Sequence, residues 1–348
     1  MGLKSWGGLV KKYIWSMLCF VVCIGVLVGC ASPDKTGTVS AGNTQSVAQT
    51  SSQDTLSEEA VTESEATSSV ESSLVQDTSS KVTSSKKPSV PTVDDGDPKN
   101  RYPVNDPNNQ RGLSTTRYGY SYGVAQNGKP HSQSVNNQKT FDAMKNVEAL
   151  AIDTVSTDKR MYLTFDCGYE YKNITADILD ILKEKNVKAA FFLTLNYIKK
   201  NPILVRRMID EGHIVGNHSA THPVFTSLSR NKMSEEIYLV DKYLKENFNY
   251  SSDYFRPPSG DYSENSLELT TSVGKKSIFW SVAYADWDTE SQKGADYAYN
   301  TVTARYHPGA VILLHAVSSD NRDALARMID KACSDGYTFK TLDDYYAK

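Results

Sequence analysis

Five short stretches carry side chains whose types and spacing could do chemistry. Asp166 ends an apolar run in Thr164-Phe165-Asp166-Cys167-Gly168. A carboxylate there either caps a following helix or handles a proton. His218 and His222 stand four residues apart, in a chain with only six histidines. On a helical turn they would share a face and could grip one metal ion. Arg256 precedes Pro257 and Pro258. Two prolines stiffen the backbone, which suits an arginine that must aim its fork at a carboxylate, although a solvated arginine on a surface turn has the same sequence. Asp286-Trp287 follows an apolar run, and His315 closes another, Val311 to Leu314. An imidazole ending a buried strand is commonly a satisfied core residue. A neighbouring carboxylate such as Asp286 could instead orient it and raise its pKa.

These residues need a frame that brings them together. From about residue 158 the chain alternates strand and helix patterns. Strands are expected at 161–165, 189–195, near 214, and at 254–256, 277–285, 310–315 and 337–341. Helices are expected at 174–185, 201–211, 234–248, 263–273, 294–305 and 321–334. Repeated strand–helix units predict a parallel sheet and an α/β fold. Every candidate residue falls at the C-terminal end of a strand or just after it, which is where a closed α/β barrel builds its sites. An open doubly wound sheet is the alternative, but no Gly-x-Gly-x-x-Gly follows a strand, which argues against dinucleotide binding.

Taken in order, Asp166, the pair His218 and His222, Arg256-Pro257-Pro258, Asp286-Trp287 and Leu313-Leu314-His315 resemble the five motifs of the polysaccharide deacetylase (NodB-homology) domain of carbohydrate esterase family 4. The resemblance spans about 158–345. Longer runs are similar to the branch that de-N-acetylates muramic acid on the way to delta-lactam. They are Tyr162 to Asp166 with Gly168-Tyr169-Glu170, Glu211 to Ser219, Phe279 to Ala283, and His307 to Asn321. The resemblance implies a distorted (β/α)7 barrel that cleaves an N-acetyl group from an amino sugar of peptidoglycan and releases acetate.

It also implies roles. Asp166 would be the general base, Arg256 its ionic partner, His315 the general acid and Asp286 the group orienting that acid. The Ser259 backbone N–H would hold the oxyanion, with Trp287 beside the substrate. His218 and His222 would hold a divalent metal. One position departs from the family: its second acidic residue is Cys167 here. A thiolate is a good Zn²⁺ ligand, so Cys167 with two histidines would leave the open fourth position of a catalytic zinc site. The alternative is a small neutral side chain that binds nothing. Cys333 is expected to pack beside the stripe Leu325, Met328, Ile329 and Ala332.

The rest of the chain reads as delivery. Lys4, Lys11 and Lys12 precede an apolar run ending in Leu27-Val28-Gly29-Cys30. A basic segment followed by a short apolar one is an export signal. Small residues before Cys30 resemble a bacterial lipobox, implying lipidation of Cys30 and anchoring on the outer face of the cell membrane; an uncleaved membrane anchor is the other reading. Residues 31–100 hold 16 Ser and 10 Thr, no Phe, Trp, Tyr or Ile, and a net charge of −6. Such a segment cannot bury enough apolar surface to offset its ordering entropy, so a disordered tether is expected. Residues 101–155 carry Tyr102, Tyr118, Tyr120 and Tyr122 among Gly, Asn and Pro, and read as an arm packed on a catalytic domain at 156–348. The near-neutral charge excludes a general nucleic-acid binder, and five cysteines in 348 residues exclude a disulfide-dense scaffold. The expected partners are a peptidoglycan glycan strand and the membrane, with the protein a monomer. Chitin oligomers or peptidoglycan glucosamine are the alternative substrates. A non-catalytic wall-binding lipoprotein is the alternative from another class.

Overall fold

Buried apolar runs of two to eight residues, separated by helices, build a parallel sheet that curls on itself. The computed structural model describes residues 95–347. The expected export signal, Cys30 and the expected tether up to residue 94 lie outside the described residues. In chain order the first elements are β1 (Tyr118–Gly119), α1 (Ser132–Ala143), β2 (Ala149–Leu150), β3 (Arg160–Cys167), α2 (Ile174–Glu184) and β4 (Ala190–Leu193). Then come α3 (Leu195–Lys200), α4 (Pro202–Asp210), β5 (Ile214–Asn217), α5 (Arg230–Phe248), β6 (Tyr254–Phe255), β7 (Asp261–Tyr262) and α6 (Glu264–Ser272). The last are β8 (Lys276–Ile278), α7 (Ala295–Thr303), β9 (Ala310–His315), α8 (Ser319–Ser334), β10 (Thr338–Phe339) and α9 (Leu342–Tyr346).

The main sheet runs β10-β3-β4-β5-β6-β8-β2, with β9 also paired to β3, and every pair in it is parallel. A single bridge, Val282 to Ile312, links the segment after β8 back to β9. That closure makes a distorted (β/α)7 barrel with one irregular seam. Alternation along β3 sorts its side chains. Met161, Leu163, Phe165 and Cys167 pack outward with α2 and α8 residues such as Ile178, Leu182, Leu325 and Met328. Tyr162 points the other way, against Phe192, Ile214, Ile278 and Val311. Asp166 has the parity of Tyr162 and so rises from the barrel interior at the strand's C-terminal end.

All seven expected strands occur, but four are shorter. The runs 254–256 and 337–341 narrow to Tyr254–Phe255 and Thr338–Phe339. The run 277–285 is strand only at 276–278, because its backbone changes partner. Phe279 N–H donates to the Leu150 carbonyl, whereas Ser281 N–H and Val282 N–H both donate to that of Val311. The run 189–195 stops at Leu193, since the Thr194 hydroxyl accepts from Tyr197 N–H and caps α3. Within the arm, α1 has no apolar period to betray it. Its buried face is Ser134, Asn137, Gln138 and Phe141, and the Gln138 side chain holds the 149–152 backbone at Ala149, Ala151 and Ile152. Residues 95–100, assigned to the tether by composition, are not free: Asp95 accepts from Ser229 and Asn231, and Pro98–Asn100 forms a 3₁₀ turn. Cys333 is exposed, one residue out of phase with the buried α8 stripe. Among the described residues, no helix is long and apolar enough to cross a membrane.

Gly216 on β5 makes room for the barrel's inner packing. A Cβ there would sit 2.5 Å from Cδ1 of Phe192. Overpacking of this kind costs about 1–3 kcal/mol. Gly216→Ala should therefore lower the denaturant midpoint without changing the m-value, and an unchanged midpoint would show that the Phe192 ring moves aside freely.

Candidate active site

The site grows from the register of two strands. Asp166 on β3 and His315 on β9 are paired partners across the parallel ladder. Two residues 149 positions apart in the chain are thereby neighbours at one end of the barrel. Both line a cavity of about 950 Å³, together with His218, His222, Ser259 and Trp287.

Asp166 is buried, and burial alone would push its carboxyl up. Arg256, with His218 and His315, outweighs that and holds it below the usual carboxylate range. Arg256 Nη1 donates to Asp166 Oδ1 at 2.8 Å. The guanidinium is fully buried, and each of its nitrogens has a partner. Nε donates to the Ile278 carbonyl at 2.9 Å, and Nη2 to Thr164 Oγ1 at 2.9 Å and to the Phe279 carbonyl. Its flat face lies 4.2 Å from the centroid of Phe192. Thr164, a hydroxyl on the inward face of an apolar strand, was the signal that sequence reasoning passed over.

On the other side, the Asp286 carboxylate takes the His315 ring Nδ1 at 2.7 Å and the His315 backbone N–H at 2.8 Å. Burial works against a charged imidazole, but Asp286 outweighs it, so the His315 pKa is raised above 6.5. Asn321 Nδ2 donates to Asp286 Oδ2, and the Tyr284 hydroxyl donates to Asn321 Oδ1 at 2.7 Å. Those two residues hold Asp286 in place, and no motif drew attention to that role. Trp287 is 57 % exposed and stands edge-on to His315, with ring centroids 5.8 Å apart. Ser259 and Gly260 both have left-handed backbone, φ +56° and +69°. The turn's own hydrogen bond runs from Gly260 N–H to the Pro257 carbonyl, and Ser259 and Gly260 both line the cavity.

The histidine pair is close but not helical. His218 follows β5, and the chain turns at Ser219 and His222, both at positive φ. The rings stand 4.8 Å apart at 73°. His218 Nδ1 lies 2.9 Å from the Arg256 carbonyl, which assigns the proton to Nδ1 and leaves a lone pair on Nε2. Burial pushes its pKa down to about 4, so the ring is neutral at pH 7. Nε2 faces Asp166 Oδ2 at 3.6 Å. Two acceptors facing each other suit a cation or a water between them.

Cys167 does not join this group. Strand alternation turns its thiol outward, among Phe165, Ile178 and Tyr197 in the core, and burial pushes its pKa well up. The expected zinc site of one cysteine and two histidines therefore does not form. Among the described residues, no three His, Cys, Asp or Glu side chains come together as a metal-binding group. The side chains left to hold a divalent cation are the imidazoles of His218 and His222.

The profile of the polysaccharide deacetylase family matches residues 153–278. The chain is 44% identical over 188 residues to the peptidoglycan-N-acetylmuramic acid deacetylase PdaA of Bacillus subtilis, covering 54% of this chain and 71% of that one. It belongs to the polysaccharide deacetylases. Among solved structures it is similar to B. subtilis PdaA, described as a family 4 carbohydrate esterase, with TM-score 0.62 and 36% identity over 67% of this chain and 97% of that one. It is also similar to a family 4 carbohydrate esterase from Bacillus anthracis, with TM-score 0.54 and 38% identity over the same shares. Enzymes of this family are hydrolases acting on N-acetyl amide bonds and generally depend on a metal.

Because the Cys167 thiol faces the core, Cys167→Ala should leave the affinity for Zn²⁺ or Co²⁺ within about twofold of wild type. Calorimetric titration of both proteins measures this, and a tenfold loss, about 1.4 kcal/mol, would return the thiol to the site.

Proposed function

We propose that the protein removes the N-acetyl group of amino sugars in peptidoglycan, with N-acetylmuramic acid the favoured residue. The observation that carries this is the pairing of Asp166 with His315 at one end of the barrel, each backed by its own ionic partner. An acid and a base held apart in pKa across one cavity are what amide hydrolysis requires.

Asp166, kept ionised by Arg256, takes a proton from water as the oxygen bonds to the acetyl carbon. The carbonyl becomes a tetrahedral oxyanion, which the Ser259 N–H stabilises; removing such a donor typically costs about 3 kcal/mol in the transition state. The C–N bond breaks as His315 gives its proton to the departing nitrogen. Acetate and a free amine leave. Asp286 keeps His315 charged beforehand and fixes which ring nitrogen faces the substrate. A divalent cation, when bound, would rest on His218 and His222 and polarise the carbonyl. Zinc is the ion we favour there. Trp287, exposed beside His315, offers a flat apolar face to a sugar ring.

Two further parts of the proposal concern placement. A lipidated Cys30 and a Ser/Thr-rich tether would hold the catalytic domain at the outer membrane face within reach of the wall. The relatives named above support an extracytoplasmic role, since wall peptidoglycan lies there.

The experiment is acetate release from wall stripped of its stem peptides and from intact wall, with mass spectrometry of the products to tell muramic acid from glucosamine. Asp166→Asn and His315→Ala should each lower kcat by about 10²–10⁴-fold; near-wild-type turnover in either would overturn the assignment of base and acid. The pH profile gives an independent check. Ionised Asp166 sets the acidic limb, and His315 must stay protonated, so activity falls as pH rises through its raised pKa. Asp286→Asn removes the charge that raises that pKa, and the alkaline limb should move to lower pH; a limb that stays in place would mean another group supplies the proton.

A further inference from the structure

The region matched by the family profile begins at residue 153, yet the cavity has a wall that comes from before it. Tyr122, from the arm, lines the same space as Asp166 and His315. Its hydroxyl donates to the Ala283 carbonyl at 2.9 Å, three residues before Asp286. Tyr120, two residues earlier, donates to the Trp280 carbonyl at 2.6 Å and packs its ring 4.6 Å from that of Phe279. Before both, β1 pairs antiparallel with β7, joining Tyr118 to Tyr262 and Gly119 to Asp261. That strand directly follows the Ser259-Gly260 turn.

The packing around this turn is close. A Cβ on Gly260 would meet Trp280 Cη2 at 2.7 Å and Tyr120 Cβ at 3.2 Å. Trp280 is therefore wedged between the turn and the two tyrosines, 5.1 Å from Tyr120 and 6.4 Å from Tyr122 by ring centroids. The arm is itself braced from behind. Asn137 Nδ2 and Ser134 Oγ, on α1, donate to the carbonyls of Ser121 and Tyr122 at 2.7 and 2.6 Å.

We propose that residues 118–122 are part of the active site: Tyr120 is a positioning residue that fixes the oxyanion turn through Trp280 and Gly260, and Tyr122 is a binding residue whose ring contacts the bound saccharide. The proposal rests on the deacetylase reading of the cavity. It assigns the two tyrosines different kinetic signatures. Tyr120 acts on a donor that matters as the oxyanion forms, so its loss falls on kcat. Tyr122 meets ground state and transition state alike, so its loss falls on KM. An aromatic face against a sugar ring supplies apolar contact that a truncated side chain cannot.

The test uses the full chain and an N-acetylated glycan substrate, with thermal midpoints recorded for every variant. Tyr120→Phe, which loses only the hydroxyl, should lower kcat about 3- to 10-fold at unchanged KM. Tyr122→Ala should raise KM about tenfold with kcat within about twofold. Should Tyr122→Ala fail to fold, Tyr122→Leu keeps apolar bulk without the flat ring, and should still raise KM. Variants that melt as wild type does and share its kcat and KM would overturn the proposal. So would a uniform fall in kcat in proportion to lost stability, which is what a merely structural arm gives. A wild type that releases no acetate from any glycan would instead overturn the deacetylase reading, and this proposal with it.

Discussion

A carboxylate at the inner end of a barrel strand stays ionised only if a fixed positive charge compensates for the water it has lost. Here that charge is Arg256, and the rest of the site is arranged around its pairing with Asp166. A buried guanidinium is itself costly unless its donors are met, and breaking such a pair by removing one partner typically costs 3–5 kcal/mol. The Arg256 donors are met by Thr164 and Asp166 at the end of β3 and by the Ile278 and Phe279 carbonyls, and its flat face by the Phe192 ring. The ring of Phe192 needs a strand neighbour without a side chain, and Gly216 supplies one. Stability of the barrel interior and ionisation of the base are the same packing problem.

The second polar pair obeys a different logic. Asp286 lies on the irregular segment after β8, where the backbone leaves one strand and joins another. A position outside regular sheet can turn a carboxylate sideways under His315, which a continuous strand, with its strict alternation, would not allow. Asn321 and Tyr284 then hold that carboxylate from behind. The shortness of β8 and the availability of Asp286 to His315 are therefore linked.

Much of this was legible in the residue order. The strand–helix alternation, the seven expected strands and the placement of Asp166 and His315 at strand ends all follow from periodicity and burial. What escaped did so for physical reasons. The helix α1 buries amides and a serine rather than an apolar stripe, so no hydrophobic period marks it. The histidine pair looked helical by spacing, but two left-handed residues make a turn instead. Cys167 looked like a ligand by its place in a motif, and strand alternation turned it to the opposite face from Asp166. Thr164 acts on Arg256 92 positions away, Asn321 on Asp286 35 positions away, and the tyrosines of the arm on carbonyls 160 and 161 positions away. Such couplings leave no local pattern in a single chain.

The contacts of the arm also bear on how the domain comes together. Tyr120 and Tyr122 reach partners 160 and 161 positions further along. Closing so large a loop carries an entropic penalty that only a nearly complete structure can offset. The barrel faces the same penalty, since β9 pairs with β3 across 149 positions. A local opening of the arm would still silence the site before the barrel itself gave way.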